Sequence, residues 1–164
     1  MILEALSSVE DSVCLLIAPR HPERFEKVGQ LLKNRQIAYR KIQEKGRGDE
    51  KVVLIDKMGL LDECFKISHA AIIGGSFVKD VGGHNIFEPI RLGIPVIFGP
   101  YMFNQTPLVE LFRKHEVGQQ VELAHLKETL ERCLREGFIS DQAKLLIDEV
   151  AGATERSWEL IKKL

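Results

Sequence analysis

GGSFVKDVGGHNIFEPIRLGIPVIFGP, residues 74–100, is the stretch that decides the fold of this chain. An apolar run at 70–73 leads straight into Gly74 and Gly75. A second glycine pair, Gly82-Gly83, precedes His84-Asn85, where a short helix opens that ends at Gly93, and another apolar run, 94–98, follows at once. Strand, glycine loop, helix and strand in this order make a βαβ unit. Its loop and helix N-terminus present unpaired backbone N–H groups, backed by the positive end of the helix dipole. Such a place suits an anion, above all a phosphate.

Working outward, the same alternation continues in both directions. Apolar strands are expected at 14–18, 37–42, 52–55 and, after the central stretch, 118–121. A short helical pattern (Ile2, Leu3, Leu6, Val9) precedes the first strand. Between the strands lie helical patterns with apolar faces Phe25, Val28, Leu31 and Leu32 behind Pro22, and Leu60, Leu61, Cys64, Phe65 and Ile67. A third, Leu108, Val109, Leu111 and Phe112, has Pro107 in its first turn and Asn104 or Thr106 as its cap. The remainder is helical, with stripes Leu126, Leu130, Cys133, Leu134 and Leu145, Leu146, Val150, and a break at Ala151-Gly152 before Trp158 and Ile161. Continuous apolar strands alternating with helices imply an α/β, Rossmann-like fold, a mostly parallel sheet with helices on both faces, formed by residues 1–164 as a single domain. In such sheets ligands bind beyond the carboxyl ends of the strands. The unusual segments 19–21, 56–60, 74–88 and 99–104 all fall there.

Composition narrows the class. With 164 residues, 45% hydrophobic and 29% charged, the chain has material for one ordinary core, and disordered or fibrous classes are set aside. A net charge of −1 gives no global attraction to nucleic acid or anionic lipid. Cys14, Cys64 and Cys133 are far apart, without metal-ligand spacing, and read as small core residues in a reducing compartment. No apolar run approaches the ~20 residues of a membrane span, and no signal-peptide pattern is seen, so a soluble, cytoplasmic piece is expected.

Two readings compete at each motif. Gly74-Gly75-Ser76-Phe77 is either a tight turn or a strand end stripped of side chains so that a ligand can approach the backbone, and the second pair at Gly82-Gly83 favours binding. The pattern is not GxGxxG, so no nicotinamide or flavin fingerprint is present. Asn85 with Glu88 three residues on has capping-box spacing, and Glu88 could equally accept hydrogen bonds from ribose hydroxyls. His84 could donate to phosphate or sugar. Arg20, with His21 beside it, stands between a strand end and a helix start, where a guanidinium can fork onto phosphate oxygens. His69, His115 and His125 have no sequence partners, and residues 40–51 read as a solvated turn. No Walker loop, GxSxG elbow, zinc helix or glycosidase carboxylate pair is apparent.

Five of these motifs together carry a resemblance. APRHPERF (18–25), DKMGLL (56–61), GGSF (74–77), GGHNIFEP (82–89) and FGPYMFN (98–104), in this order and spacing, resemble the C-terminal half of the 3-deoxy-D-manno-octulosonic acid (Kdo) transferases, GT-B glycosyltransferases of lipopolysaccharide biosynthesis. The resemblance covers the chain from about Leu15 onward. It implies a donor domain that holds CMP-Kdo, while an N-terminal domain, absent from these residues, supplies the acceptor lipid A precursor, the catalytic carboxylate and the membrane anchor. No catalytic residue, metal or other cofactor is then expected in this chain, and the whole enzyme would work at the cytoplasmic face of the inner membrane.

Carried over by motif, Pro19 and Arg20, then Met58, Gly59 and Leu60, then Asn85, Ile86, Phe87 and Glu88 fall on the CMP-contacting segments. Arg20 would meet the phosphate, the Met58 turn would present backbone to cytosine, and Glu88 would take ribose hydroxyls. His21, Gly75, Ser76, Phe77, Gly83 and His84 are further donor contacts. DKMGLL stands where the family more often has DTMGEL, and Lys79-Asp80-Val81 where a proline-containing stretch is usual. A UDP-sugar-using GT-B transferase or epimerase domain, or a nucleotide-binding module without turnover, are the alternatives.

Overall fold

The computed structural model of the chain describes residues 2–6, 9, 13–45, 50–136, 141–150, 158, 161 and 162. In order run α1 (Ile2–Ala5), β1 (Leu15–Ile17), α2 (Phe25–Asn34), β2 (Tyr39–Lys41), β3 (Val52–Leu54), α3 (Leu61–Lys66), β4 (Ala71–Ile73), α4 (Phe87–Arg91), β5 (Val96–Phe98), α5 (Thr106–Lys114), β6 (Gln119–Gln120), α6 (Leu126–Glu136) and α7 (Asp141–Val150). The six expected strands are present and every pairing is parallel. They form two three-stranded sheets, ordered β1-β3-β2 and β4-β5-β6. Strand composition explains the order. β3 (VVL) and β5 (VIF) are buried at every position and take the centres, whereas β2 (YRK) and β6 (QQ), half-buried, take edges.

Residues 8–67 form one compact unit, and residues 1–7 with 68–164 form a second. In the first unit Val53, Ile55 and Cys64 make a core against which Leu16, Ile42 and Leu60 pack. α2 lies close on its sheet because Gly29 has no side chain: a methyl there would meet the Tyr39 hydroxyl at 2.8 Å and Leu54 at 3.6 Å. The buried stripe of α2 is therefore Gly29 and Leu32, while Leu31, expected inside, is 43% exposed. α3 likewise buries Cys64 and Phe65 but leaves Leu61 and Ile67 outside. Cys14 also departs from expectation: it is exposed, because it stands before the ladder, which begins where Leu15 N–H donates to Lys51 C=O. Burial pushes the thiols of Cys64 and Cys133 up from their ordinary value, as befits inert core cysteines.

In the second unit Phe98 and Phe112 meet edge to face, 6.2 Å between ring centroids, and Val96, Ile97, Ile86, Ile90, Leu126 and Leu146 are buried as well. Neither Asn104 nor Thr106 caps α5; Thr106 is its first residue, and the hydroxyl donates to Phe103 C=O at 3.3 Å. α6 buries Leu126, Leu130 and Cys133 as expected, with Thr129 added. α7 buries Ala143 and Leu146 and exposes Leu145. The break at Ala151-Gly152 lies outside the described residues. Trp158 and Ile161 are exposed, with Lys162 Nζ 5.5 Å above the Trp158 ring.

Candidate functional site

Parallel pairing brings the carboxyl ends of β1, β2 and β3 to one edge of the first unit: Ile17 and Lys41 both stand opposite Leu54. From β1 the chain runs through Pro19, Arg20 and His21 into a single 3-10 turn, Pro22–Arg24, and then α2. Arg20 and His21 are exposed. The His21 Nδ1 to Glu23 Oε1 distance of 4.0 Å, between exposed groups, contributes little. From β3 the chain enters the Asp56–Leu60 turn. Met58 is 57% exposed, and Gly59 has φ +81° with open space where a side chain would go. Leu60 packs its side chain against the core.

The solvated turn expected at 40–51 does not include its first two residues, and 46–49 lie outside the described residues. Arg40 and Lys41 end β2, and Lys41 Nζ lies 2.6 Å from Glu26 Oε1 in the first turn of α2 and 3.7 Å from Asp56 Oδ2. The bonded Glu26 holds the Lys41 ammonium pKa above its ordinary value, and Lys41 in turn holds Glu26 below the usual carboxylate range. Asp56 Oδ1 is buried and has no hydrogen-bond partner. Lys41 and Asp56 were not candidates from sequence. The signal for them, a cation at a strand end and a carboxylate at the next, becomes visible only once the strand register is known.

In the second unit the segments that follow β4 and β5 come together. Ser76 is fully buried; its hydroxyl donates to Ile73 C=O at 2.5 Å and accepts from Gly99 N–H at 2.6 Å, while its carbonyl accepts from Tyr101 N–H at 2.9 Å. Gly83 N–H donates to Tyr101 C=O at 2.8 Å. A side chain at Gly75 would collide with the Gly82 carbonyl, and one at Gly83 with the Met102 sulfur. These glycines therefore allow two loops to knit, and the Ser76 hydroxyl both donates to and accepts from the scaffold. Phe77 is buried beside them.

His84 and Asn85 are exposed at the entry to α4. Asn85 Oδ1 accepts from Phe87 N–H at 2.9 Å, and Asn85 Nδ2 donates to Glu88 Oε1 at 3.1 Å. Asn85 and Glu88 thus meet side chain to side chain, but the expected capping box does not form: the N-cap of α4 is Ile86, without a side-chain cap hydrogen bond. α4 has five residues, so few peptide dipoles align behind this loop and the anion-holding role expected of its dipole shrinks accordingly. Glu88 is half-buried and Ile86 fully buried. Two cavities of the second unit, about 230 and 290 Å³, flank β6 and contain none of the residues assigned to donor contact from sequence. Among the described residues no helix is long and apolar enough to cross a membrane.

No family model matches the chain. A 3-deoxy-D-manno-octulosonic acid transferase of Haemophilus influenzae is 35% identical over 96% of this chain and 39% of its own length, and one of Chlamydia muridarum is 31% identical over 92% of the chain and 36% of its own. Among solved structures, the crystal structure of the C-terminal CMP-Kdo binding domain of WaaA from Acinetobacter baumannii matches with a TM-score of 0.81 and 28% identity, over 89% of this chain and 81% of that one. The chain matches the Kdo transferases in sequence and their C-terminal domain in fold. It spans a little over a third of the length of those relatives. The motifs read as Kdo-transferase-like thus occupy strand ends in both units: Arg20 and the Met58 turn in the first, Gly74–Phe77 and the segment 82–88 in the second.

Proposed function

We propose that this chain is the donor-binding domain of a Kdo transferase and binds CMP-Kdo. The observation that carries the reading is the fold match, at 28% identity, to a domain described as CMP-Kdo binding. In the first unit the exposed Arg20 guanidinium takes the phosphate, and the backbone of Met58, Gly59 and Leu60 meets the cytosine. Pro19 completes the contacts of that unit. Of the second unit, Glu88, steadied by Asn85, takes ribose hydroxyls of the donor, with Ile86 and Phe87 beside it. His21, Gly75, Gly83 and His84 lie in the same segments as further donor contacts. Phe77 and the Ser76 hydroxyl act through the scaffold.

In the whole protein, a carboxylate base on an N-terminal domain activates a hydroxyl of a lipid A precursor, which attacks the anomeric carbon of Kdo. The anomeric C–O bond breaks and its electron pair leaves with CMP. Arg20 and backbone N–H groups offset the charge that grows on the phosphate. That reaction takes place at the cytoplasmic face of the inner membrane, and this chain by itself binds nucleotide without turnover. Calorimetric titration tests the assignment. CMP is expected to bind more tightly than UMP, and Arg20→Ala to weaken CMP about tenfold or more through loss of a charge-assisted contact. Equal affinity of the Arg20→Ala variant and the unaltered chain would remove Arg20 from the site, and a preference for UMP would favour a UDP-sugar enzyme.

A further inference from the structure

Lys41 and Asp56 end neighbouring strands of the first unit, and nothing in the nucleotide contacts named above uses them. We propose that they form a positioning pair that holds the Asp56–Leu60 turn in the shape that receives the pyrimidine of CMP. The inference rests on the assignment of that turn to the nucleotide base.

Register sets the geometry. Lys41 stands opposite Leu54, and Asp56 follows two residues later, so both side chains leave the same edge of the sheet. The Asp56 side chain is 19% exposed, and its Oδ2 lies 3.7 Å from Lys41 Nζ. Its Oδ1 is shielded from solvent with no hydrogen-bond partner. A carboxylate so withdrawn from water is held at a cost that a nearby cation offsets.

The turn it begins has little else to fix it. Met58 is largely exposed, and no atom lies within 4 Å of where a Gly59 side chain would be. Leu60 anchors the far end in the core. Asp56 is thus the near anchor, and Lys41 fastens it. The same ammonium bonds Glu26 in α2, the helix that follows Pro19 and Arg20 after the Pro22–Arg24 turn. One cation therefore links α2, the helix that follows the Pro19–Arg20 segment, to the start of the Asp56–Leu60 turn. Holding a loop in its bound shape raises affinity by lowering the ordering cost of binding.

The test is CMP titration by calorimetry into the unaltered chain, Lys41→Met, Lys41→Arg, Asp56→Asn, the Lys41→Met/Asp56→Asn double variant, and Lys144→Met on α7 as a control. Lys41→Met and Asp56→Asn are each expected to weaken CMP about tenfold, with the double variant no weaker than either single. Lys41→Arg is expected to restore affinity, and Lys144→Met to leave it unchanged. Thermal unfolding of each variant confirms that titrations are run on folded protein, and Asp56→Asn, which preserves shape, carries the test if Lys41→Met does not fold. Undiminished CMP affinity in folded Lys41→Met or Asp56→Asn, additive losses in the double variant, or failure of arginine to rescue overturns the pair while leaving the function standing. Absence of CMP binding by the unaltered chain overturns the function, and this inference with it.

Discussion

Ser76 Oγ donates to Ile73 C=O and accepts from Gly99 N–H at a position closed to water. In sequence it lies among glycines, where a hydroxyl reads as a ligand contact. What distinguishes the two roles is the distance between residues 76 and 99, which no local pattern encodes. Ser76→Ala is expected to leave Gly99 N–H without that acceptor and to destabilise the chain by about 1–3 kcal/mol. Urea denaturation checks this, and a change below about 0.5 kcal/mol would show that Gly99 finds another partner. Asn85 and Glu88 are the opposite case. Their pairing is local, three residues apart, and so was legible before any fold was known. Lys41 and Asp56 again depend on register and were not.

At the scale of elements, α5 and α7 are fastened through Glu149. Its carboxylate accepts from Lys114 Nζ at 2.9 and 3.0 Å and contacts His115 Nε2 at 2.5 Å. Lys114 first, then His115, hold Glu149 below the usual carboxylate range. A carboxylate whose pKa falls on folding stabilises the fold at pH above its unfolded pKa and loses that contribution as pH drops through the lowered, folded pKa. The thermal midpoint of the unaltered chain is therefore expected to exceed that of Glu149→Gln near neutral pH. The gap should close as pH falls below about 4. Midpoints differing by a constant amount across that range would show that the link acts through packing alone. Helix periods predicted the buried residues of α6 well but overreached on α2 and α3, where Leu31, Leu61 and Ile67 are outside. Periodicity reports which face is apolar. How wide a stripe is covered depends on what packs against it.

At the scale of the whole molecule, division of labour makes its own prediction. Given CMP-Kdo and a lipid A precursor, this chain is expected to release no more CMP than buffer does while still binding CMP. Mass spectrometry of the lipid and calorimetry of the nucleotide check the two halves, and Kdo found on the lipid would mean that a catalytic base lies within these residues.

The alternation of apolar runs and helical patterns was enough by itself to determine a parallel α/β fold. The reason is that a strand buried on both faces must be apolar along its length, and parallel neighbours require a crossover between them. The motifs at the strand ends also carried the Kdo-transferase likeness. Only the tertiary structure decided that the strands form two sheets of three, that Gly75, Ser76 and Gly83 join one loop to another, and that Lys41 reaches Asp56. Each of these depends on residues brought together from distant parts of the chain. The residues 74–100 thus declare their strand, loop and helix locally, whereas what the loop's small residues are for depends on Tyr101 and Met102 packed against them.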